Sequence, residues 1–345
     1  MKLAIIGLTH SGKATVFQAL TGTPLIAGRK NESLIGTIRV PDVRVDRLSA
    51  IYSPRKTIYA QVEYFLPAAR GKAEDKQSGQ QAYWAQVRDG DALIHCVRNF
   101  DAYGAQTPRP IDDFRQLDQE LILTDLVSVE KRLERLQLDQ KRGKKPDPEE
   151  LALLTRCQHE LENERPLRLT PELAAAHKLR GFAFLSAKPQ LVLFNNSDED
   201  AELPASAAAL EGATALVIRG KLEQELAGMS PEEAGEFLSE FGLEASAADR
   251  IIQKSYALLG LISFFTVGED EVRAWTIPRA TTALDAAEVI HSDIKKGFIR
   301  AEVLAYDDLI TAGSHAEARK QGTVRLEGKQ YEAVDGDIIH FRFNV

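Results

Sequence analysis

The sequence predicts an α/β protein made of a Rossmann-like P-loop domain, an inserted α-helical hairpin and a small C-terminal β-grasp module. Three patterns support this prediction. A short apolar strand runs into a loop of glycines and a lysine, and a helix pattern follows. A charged, leucine-rich stretch interrupts a series of buried-strand patterns. Short strands separated by glycine-containing turns occupy residues 261–345.

The first pattern is the segment Gly7–Thr15, which reads Gly-Leu-Thr-His-Ser-Gly-Lys-Ala-Thr after the apolar residues 3–6. Glycines in such a loop let backbone N–H groups surround phosphate oxygens, and the start of the following helix adds a positive dipole. The lysine reaches the terminal phosphates. We therefore predict a phosphate-binding loop whose contacts come from Gly7, His10, Ser11, Gly12, Lys13, Ala14 and Thr15.

The residue after the lysine departs from this motif. A serine or threonine is expected there, because its hydroxyl binds Mg²⁺, but the residue is Ala14. Thr15 does not replace the missing hydroxyl, because one step along a helix turns a side chain by about 100°. The sequence therefore predicts phosphate contacts without this metal ligand, and we assign no metal-ligating and no catalytic residue.

Composition restricts the class of protein. The 345 residues leave room for roughly two or three domains, and the formal net charge of −8 is not that of a general nucleic-acid coat. Any RNA contact must then come from a local basic patch. Cys96 and Cys157 match no metal-ligand spacing, and no apolar run reaches the length of a membrane span. We expect a cytoplasmic protein without a disulfide framework.

Apolar runs typical of buried strands lie at 59–65, 92–97, 191–194 and 214–218. Between the second and third runs, leucines recur every three or four residues, which predicts a helical hairpin at 111–185 inserted into a P-loop domain at 1–110 and 186–260. The expected inward stripe consists of Leu121, Leu123, Leu126, Val129, Leu133 and Leu136, followed after a break by Leu151, Leu153 and Leu154.

Two groups of basic residues are candidates for RNA contact. The break in the hairpin contains Lys141, Arg142, Lys144 and Lys145, which either contact RNA or form a solvated turn. The C-terminal module contains Arg273, Lys295, Lys296, Arg300 and Arg342 beside Trp275. Basic residues beside an aromatic ring can grip phosphate and stack a base, although Trp275 lies in an apolar strand that is typical of a core.

Several motifs together resemble one family over essentially the whole chain. They are Gly7–Thr15, Val40–Asp46, Arg88–Phe100, Glu271–Ile277, Ile290–Glu302 and Asp335–Val345. With these motifs the chain resembles the YchF subfamily of Obg-like ATPases. The resemblance implies a P-loop G domain with an inserted helical hairpin, a C-terminal TGS domain of β-grasp type at 261–345, ATP or GTP as the ligand, and association with ribosomes.

The chain departs from this family at positions that contact the metal and sense the phosphate. The resemblance places the Asp-x-x-Gly motif at Leu66 and Ala69, where the aspartate would hold the metal through water and the glycine N–H would sense the γ-phosphate. It places the switch threonine near Lys30. Residues 101–106 lack the histidine that family members carry there. These departures imply weak or lost hydrolysis and weak or absent Mg²⁺ binding.

The segment Asn195-Asn196-Ser197-Asp198-Glu199 follows an apolar strand, as the Asn-Lys-x-Asp element of GTPases does. The resemblance pairs Asn196 with Glu199, an Asn-x-x-Glu variant associated with adenine. The other register pairs Asn195 with Asp198 and restores a carboxylate that accepts from guanine. Both registers remain open, and the last specificity loop of the family maps to residues 219–221.

Three functions are compatible with these residues. The first is a purine-nucleotide-binding, ribosome- or RNA-associated regulator with weak or lost hydrolysis. The second is an active ATPase or GTPase switch whose metal is held by phosphates and water. The third is a ribosome- or RNA-binding scaffold that needs no nucleotide. In none of the three do we expect a membrane partner.

Overall fold

The structure is a computed structural model that describes residues 1–24, 32–68, 76–102, 104, 106–242 and 245–344. The chain divides into two compact units. The first consists of Met1–Ile38 with Glu63–Lys254, and the second of Arg39–Val62 with Ser255–Val345.

Strands and helices alternate along much of the chain. The strands are β1 (Lys2–Ile6), β2 (Leu34–Arg39), β3 (Lys56–Ile58), β4 (Gln61–Leu66), β5 (Ala92–Asn99), β6 (Gln190–Asn196), β7 (Thr214–Ile218), β8 (Leu261–Val267), β9 (Glu271–Pro278), β10 (Phe298–Ala305), β11 (Arg325–Glu327) and β12 (Asp337–Phe343). The α-helices are α1 (Lys13–Thr21), α2 (Val43–Tyr52), α3 (Lys76–Val87), α4 (Pro110–Lys141), α5 (Pro148–Glu162), α6 (Pro171–Ala174), α7 (Gly220–Leu226), α8 (Pro231–Glu240), α9 (Ala247–Leu258), α10 (Ala283–Ile290), α11 (Ser292–Lys296), α12 (Tyr306–Ala312) and α13 (His315–Gln321). Short 3₁₀ helices lie at Leu167–Leu169, His177–Phe182 and Ala205–Ala209.

The first unit is built on a sheet with the strand order β2-β4-β1-β5-β6-β7. From β4 to β7 the neighbouring strands are parallel. The residues of β6 are all buried, as expected for a strand covered on both faces. Parallel strands end at the same edge of a sheet, so the loops that follow β1, β5, β6 and β7 meet there. The predicted α/β fold is confirmed.

The inserted helices α4 and α5 pack against each other through one apolar cluster. Buried members of this cluster on the two helices are Ile122, Val129, Leu133, Leu136, Leu154, Cys157 and Leu161. The predicted stripe is wrong at Leu123, whose exposed fraction is 59%. At 3.6 residues per turn, Leu121 faces the sheet and Ile122 faces α5, so the next residue turns toward solvent.

Buried ion pairs and hydrogen bonds hold α4 in the first unit. Asp118 on α4 forms a two-armed salt bridge with Arg168, with both N–O distances at 2.8 Å. The carboxylate of Asp125 accepts from the backbone N–H groups of Leu185 and Ser186 at 3.0 Å and 2.7 Å. These contacts attach the segment that follows α5, at Arg168, Leu185 and Ser186, to helix α4.

The second unit contains a sheet with the order β11-β10-β12-β8-β9-β3. Helix α10 packs on β9 and β10. The core between them includes Ile262, Phe264, Ile277, Ala283, Ala287 and Phe341. Residues 330–332 form no strand in this described segment, where Glu332 forms only an isolated bridge with Thr282.

The division of the chain differs from the sequence prediction at residues 39–62, which were expected in the P-loop domain. Strand β3 pairs with β9, and α2 packs on β8 and β9, so this segment belongs to the second unit. Arg44 on α2 binds Asp335 at 2.9 Å and lies over the ring of Phe265. The other expected boundaries, including the hairpin at 111–185 and the TGS-like domain at 261–345, stay predictions.

Candidate functional site

The loop between β1 and α1 folds back on itself. The Ser11 N–H donates to the Leu8 carbonyl oxygen at 3.3 Å, and His10 and Gly12 have positive φ values of 65° and 83°. Helix α1 begins at Lys13, so its N-terminal N–H groups adjoin the loop. This is the arrangement of backbone donors that binds anions at the start of a helix.

Both glycines of the motif are needed for space. A Cβ atom at Gly7 would lie 2.5 Å from Ser11 Oγ and 2.6 Å from the Cys96 carbonyl oxygen. A Cβ atom at Gly12 would lie 2.1 Å from Asn195 Nδ2, and the positive φ of Gly12 also disfavours other residues. The loop therefore packs directly against Cys96 of β5 and Asn195 of β6.

The Lys13 side chain curls over the loop. Its Nζ donates to the carbonyl oxygens of Gly7 at 3.2 Å and Leu8 at 3.1 Å. The ammonium group is therefore held beside the backbone that the sequence predicts to surround phosphate.

Two buried side chains support the loop from the sheet. The Ser11 carbonyl oxygen accepts from Cys96 Sγ at 3.2 Å and from Asn195 Nδ2 at 3.1 Å. Burial raises the pKa of the Cys96 thiol to about 12, so the thiol keeps its proton and can donate. From the sequence, Cys96 was assessed only as a disulfide partner or a metal ligand. Its supporting role depends on the pairing of β5 with β1, which local sequence does not reveal.

Asn195 joins the loop to the segment that follows β7. Its Nδ2 donates to Ser11, and its Oδ1 accepts from the Gly220 N–H at 3.0 Å. Three residues further on, Asp198 Oδ1 accepts from the Leu222 N–H at 3.3 Å. Asn195 and Asp198 thus both contact the start of α7.

Asn196 is engaged elsewhere. Successive residues of a strand point to opposite faces, and the Asn196 side chain accepts from Asn99 Nδ2 at 2.9 Å and donates to the Glu202 carbonyl oxygen at 2.8 Å. Its exposed fraction is 3%, whereas Glu199 is exposed. The structure therefore brings Asn195, not Asn196, to the phosphate-binding loop.

A cavity of about 450 Å³ opens beside the loop. This volume lies within the usual range for small-molecule sites. Its lining residues are Gly12, Thr15, Phe100, Asp101, Ala102, Asn195, Asn196, Ser197, Asp198, Glu199, Lys221 and Gln224. The cavity therefore joins one end of the loop to both candidate base-binding pairs.

The two described positions of the expected metal ligands carry hydrocarbon side chains. Ala14 is partly buried at the start of α1, and Leu66 ends β4 with 8% exposure. Ala69 and Lys30 lie outside the described residues. Within the described ranges, no three His, Cys, Asp or Glu side chains come together as a possible metal site. The residues at these positions do not fit a Mg²⁺ ion anchored by side chains.

At the tip of the hairpin the four basic residues are exposed, and Lys144 forms a salt bridge with Asp139 at 3.1 Å. In the second unit, Lys295 binds Asp285 and Glu288, and Lys296 binds Asp293. Acidic partners thus offset part of the charge in both groups.

Trp275 is partly buried. Its Nε1 donates to Thr266 Oγ1 at 3.0 Å, and Arg273 lies 3.8 Å above its ring. The ring stacks on Phe264 in the core of the second unit. Trp275 therefore packs against the core, as its apolar strand indicated.

A parallel sheet whose first strand leads into this loop defines a P-loop NTPase fold. Residues 261–344 match the family model YchF-GTPase_C, described as a protein of unknown function (DUF933). The chain is similar to proteins named ribosome-binding ATPase YchF from Bacillus subtilis, at 37% identity over 99% of this chain and 98% of the relative, and from Haemophilus influenzae, at 37% over 100% and 99%. The chain belongs to the YchF family.

Solved structures agree with this assignment. The YchF GTPase of Schizosaccharomyces pombe superposes with a TM-score of 0.83 at 28% identity, covering 99% of this chain and 97% of that one. A GTP-binding protein from Pyrococcus horikoshii has the same fold, with a TM-score of 0.61 at 17% identity and full coverage of both chains (100% each). Among the residues that the structure describes, none of the helices combines the length and apolar character needed to cross a bilayer.

Proposed function

We propose that this protein binds a purine nucleotide at Gly7–Thr15, hydrolyses it weakly or not at all, and associates with ribosomes in the cytoplasm. One combination of features carries the proposal. The loop keeps its glycines and holds Lys13 Nζ 3.2 Å and 3.1 Å from its own carbonyl oxygens, while Ala14 and Leu66 stand where the family motifs have a metal-binding hydroxyl and a carboxylate. Binding groups are thus retained where hydrolysis groups are lost.

Phosphoryl transfer depends mainly on positioning and on neutralising charge in the transition state. In P-loop NTPases in general, Mg²⁺ supplies part of that neutralisation when bound. Here Lys13, the backbone N–H groups of the loop and the N-terminus of α1 would hold the phosphates without metal ligands at Ala14 and Leu66. We expect micromolar or weaker nucleotide affinity that hardly changes when Mg²⁺ is removed.

For the base, we propose the register that pairs Asn195 with Asp198. Asn195 joins the phosphate loop to Gly220, which supports a role at the boundary between phosphate and base. The Asp198 carboxylate lines the cavity and can accept from the donors on a purine edge. The Asn196 amide contacts Asn99 and the Glu202 carbonyl oxygen rather than the phosphate-binding loop, which argues against the register with Glu199.

Calorimetry tests nucleotide binding directly. ATP, ADP, GTP and GDP would each be titrated with Mg²⁺ and with EDTA into the wild type and Lys13→Ala. We expect binding that EDTA hardly changes and that Lys13→Ala weakens by more than tenfold. A Mg²⁺-dependent ATPase or GTPase activity that Lys13→Ala abolishes would instead establish the active switch. Absence of heat with all four nucleotides, together with retained co-sedimentation with ribosomes, would instead support the nucleotide-independent scaffold.

Two isosteric substitutions distinguish the base registers. Asp198→Asn turns the carboxylate into an amide, so we expect it to weaken binding of the preferred nucleotide by about tenfold or more. Glu199→Gln makes the same chemical change one residue away on an exposed side chain and should leave affinity within about twofold. The reverse result would support pairing of Asn196 with Glu199.

The ribosome proposal rests on the relatives, which are named ribosome-binding ATPases. Co-sedimentation with purified ribosomes at physiological salt tests it. A variant with Lys141, Arg142, Lys144 and Lys145 all changed to Gln decides between the two interpretations of the hairpin tip. Reduced pelleting would indicate an RNA contact, and unchanged pelleting would indicate a solvated turn.

A further inference from the structure

A buried carboxylate organises the basic side chains of the second unit. Glu302 on β10 has an exposed fraction of only 6%. It accepts from Nη2 of Arg319 and from Nη2 of Arg342, the latter at 2.5 Å, and His315 Nε2 lies 3.4 Å from its Oε1. Two guanidinium groups thus share one carboxylate, so the cluster keeps a net positive charge in a chain of net charge −8.

Strand register places further basic residues on the same face. In the antiparallel pair β10–β12, Glu302 is opposite His340 and Arg300 is opposite Arg342. Cross-strand partners and alternate residues of a strand share a face of the sheet. Arg300, Glu302, His340 and Arg342 therefore lie together, and Arg319 reaches them from α13.

The arginines keep hydrogen-bond donors for a ligand. The side chains of Arg319 and Arg342 are 60% and 51% exposed, although each uses Nη2 on Glu302. Arg300 is exposed and forms no ion pair with any residue in the described ranges. A guanidinium group has five N–H donors in a planar fork that matches phosphate, and anchoring by a buried carboxylate reduces the entropy lost on binding.

A cavity of about 210 Å³ adjoins this cluster. Its lining includes Tyr52, Val267, Glu302, His315, Ile338 and His340. The buried Tyr52 hydroxyl has no hydrogen-bond partner among the described residues. The cavity offers apolar walls, imidazole rings and an unused hydroxyl group, which are the features that receive an unstacked base.

We propose that Arg300, Arg319, His340 and Arg342, arranged around Glu302, bind the phosphate backbone of single-stranded RNA, with one base entering the adjoining cavity. This inference rests on the proposed ribosome association and names a surface for it. The surface lies within the second unit and does not involve the phosphate-binding loop.

Fluorescence anisotropy with a labelled oligouridylate and a labelled oligoadenylate tests the surface over a range of salt concentrations. Arg319→Gln/Arg342→Gln should weaken binding and lower the salt-dependence slope by about one per arginine removed. Arg300→Gln/His340→Ala leaves the Glu302 ion pairs intact and should also weaken binding. The control Arg55→Gln/Arg279→Gln removes two exposed arginines elsewhere in the second unit and should bind like the wild type.

The Glu302→Gln variant shows whether RNA binding depends on the arrangement of the arginines around Glu302 or only on the positive charge of this surface. It adds one positive charge overall, but it removes the negative charge and one of the two oxygens that hold the guanidinium groups of Arg319 and Arg342, so we expect weaker RNA binding. Tighter or unchanged binding by Glu302→Gln would overturn the proposal. Wild-type affinity in Arg300→Gln/His340→Ala, equal weakening in the control, or equal wild-type affinity for duplex RNA would also overturn it.

Co-sedimentation of the same variants distinguishes this inference from the proposed function. If the wild type does not pellet with ribosomes, the ribosome proposal fails. If the wild type and both cluster variants pellet equally, the ribosome proposal stands and this surface is wrong.

Discussion

The side-chain amide of Asn195 donates to the backbone carbonyl of Ser11 at 3.1 Å, and both residues are almost fully buried. This hydrogen bond ties the end of β6 to the phosphate-binding loop. Since the other end of the same amide accepts from Gly220, a single side chain sets the distance between three loops. The candidate phosphate and base regions are therefore coupled through a group that contacts only backbone.

Asn195→Asp should weaken nucleotide binding. The substitution keeps the shape of the side chain but replaces the donor to Ser11 with an oxygen that faces a carbonyl oxygen. We expect a loss of about 1–3 kcal/mol in the free energy of unfolding, measured by urea denaturation. Calorimetry should detect at least a tenfold loss of nucleotide affinity.

Asn196→Asp is the matched control for this prediction. It removes the donor to the Glu202 carbonyl oxygen and should cost a similar amount of stability, but it leaves the loop untouched. Nucleotide affinity should then stay within about threefold of the wild type. Equal loss of affinity in both variants would show that general destabilisation is responsible.

Gly12→Ala should be far more disruptive than Gly143→Ala. Both glycines have nearly the same left-handed conformation, with φ values of 83° and 85°. A Cβ atom at Gly143 meets nothing within 4 Å, whereas one at Gly12 would lie 2.1 Å from Asn195 Nδ2.

We expect Gly143→Ala to cost about 1 kcal/mol, from backbone conformation alone. Gly12→Ala should add roughly 1–3 kcal/mol of steric strain and should eliminate nucleotide binding. Chemical denaturation with calorimetry on both variants measures the difference. Equal effects would mean that the loop can shift away from Asn195.

Features that depend on local sequence could be predicted. The loop follows from two glycines and a lysine between an apolar strand and a helix, and β7 has the bounds of the apolar run at 214–218. The break in the helical hairpin before Pro148 could also be predicted from local sequence, because proline and glycine end helices whatever their surroundings.

Features that depend on contacts between residues distant in sequence could not be predicted. Asn195 and Asn196 are chemically identical, and only the register of β6 beside β5 decides which one faces the loop. Strand β3 carries no local signal that it completes a sheet more than two hundred residues later, where it pairs with β9. Leu123 fits a leucine spacing, but α4 contacts both the sheet and α5, which leaves this side of the helix exposed.

Stability should fall between pH 7 and pH 5 because of His95. This histidine lies in β5 with 1% exposure, and Gln190 lies 3.0 Å from its Nδ1. Burial, with a smaller effect of the Arg168 charge, lowers the pKa of His95 to about 3. In the unfolded chain this histidine binds a proton near pH 6.5, but in the folded protein it stays neutral. The contribution of neutral His95 to the free energy of unfolding is therefore fully present above that pH and decreases as the pH falls below it.

We expect His95 to account for about 2 kcal/mol of lost stability at pH 5. Urea denaturation at several pH values should show a smaller decrease in His95→Gln than in the wild type. Removal of the exposed His159 in His159→Gln should leave the decrease unchanged. If the wild type and His95→Gln respond to pH in the same way, His95 does not titrate as its burial implies.

Restoring a hydroxyl at position 14 should restore dependence on Mg²⁺. Ala14 occupies the second residue of α1, directly after Lys13, where a phosphate-binding loop provides its metal ligand. Ala14→Thr adds the missing oxygen, and Ala14→Val adds the same shape without it. The pair therefore separates metal ligation from steric change at the start of the helix.

In the wild type we expect nearly equal triphosphate affinity in Mg²⁺ and in EDTA, because Ala14 and Leu66 offer the ion no oxygen. In Ala14→Thr the affinity in Mg²⁺ should exceed that in EDTA by about tenfold, equivalent to about 1.4 kcal/mol. Ala14→Val should retain the wild-type ratio near one. A wild-type affinity that already depends strongly on Mg²⁺ would mean that the ion is held by phosphates and water or by other oxygens of this chain. In that case the loss of hydrolysis inferred from Ala14 and Leu66 would no longer follow.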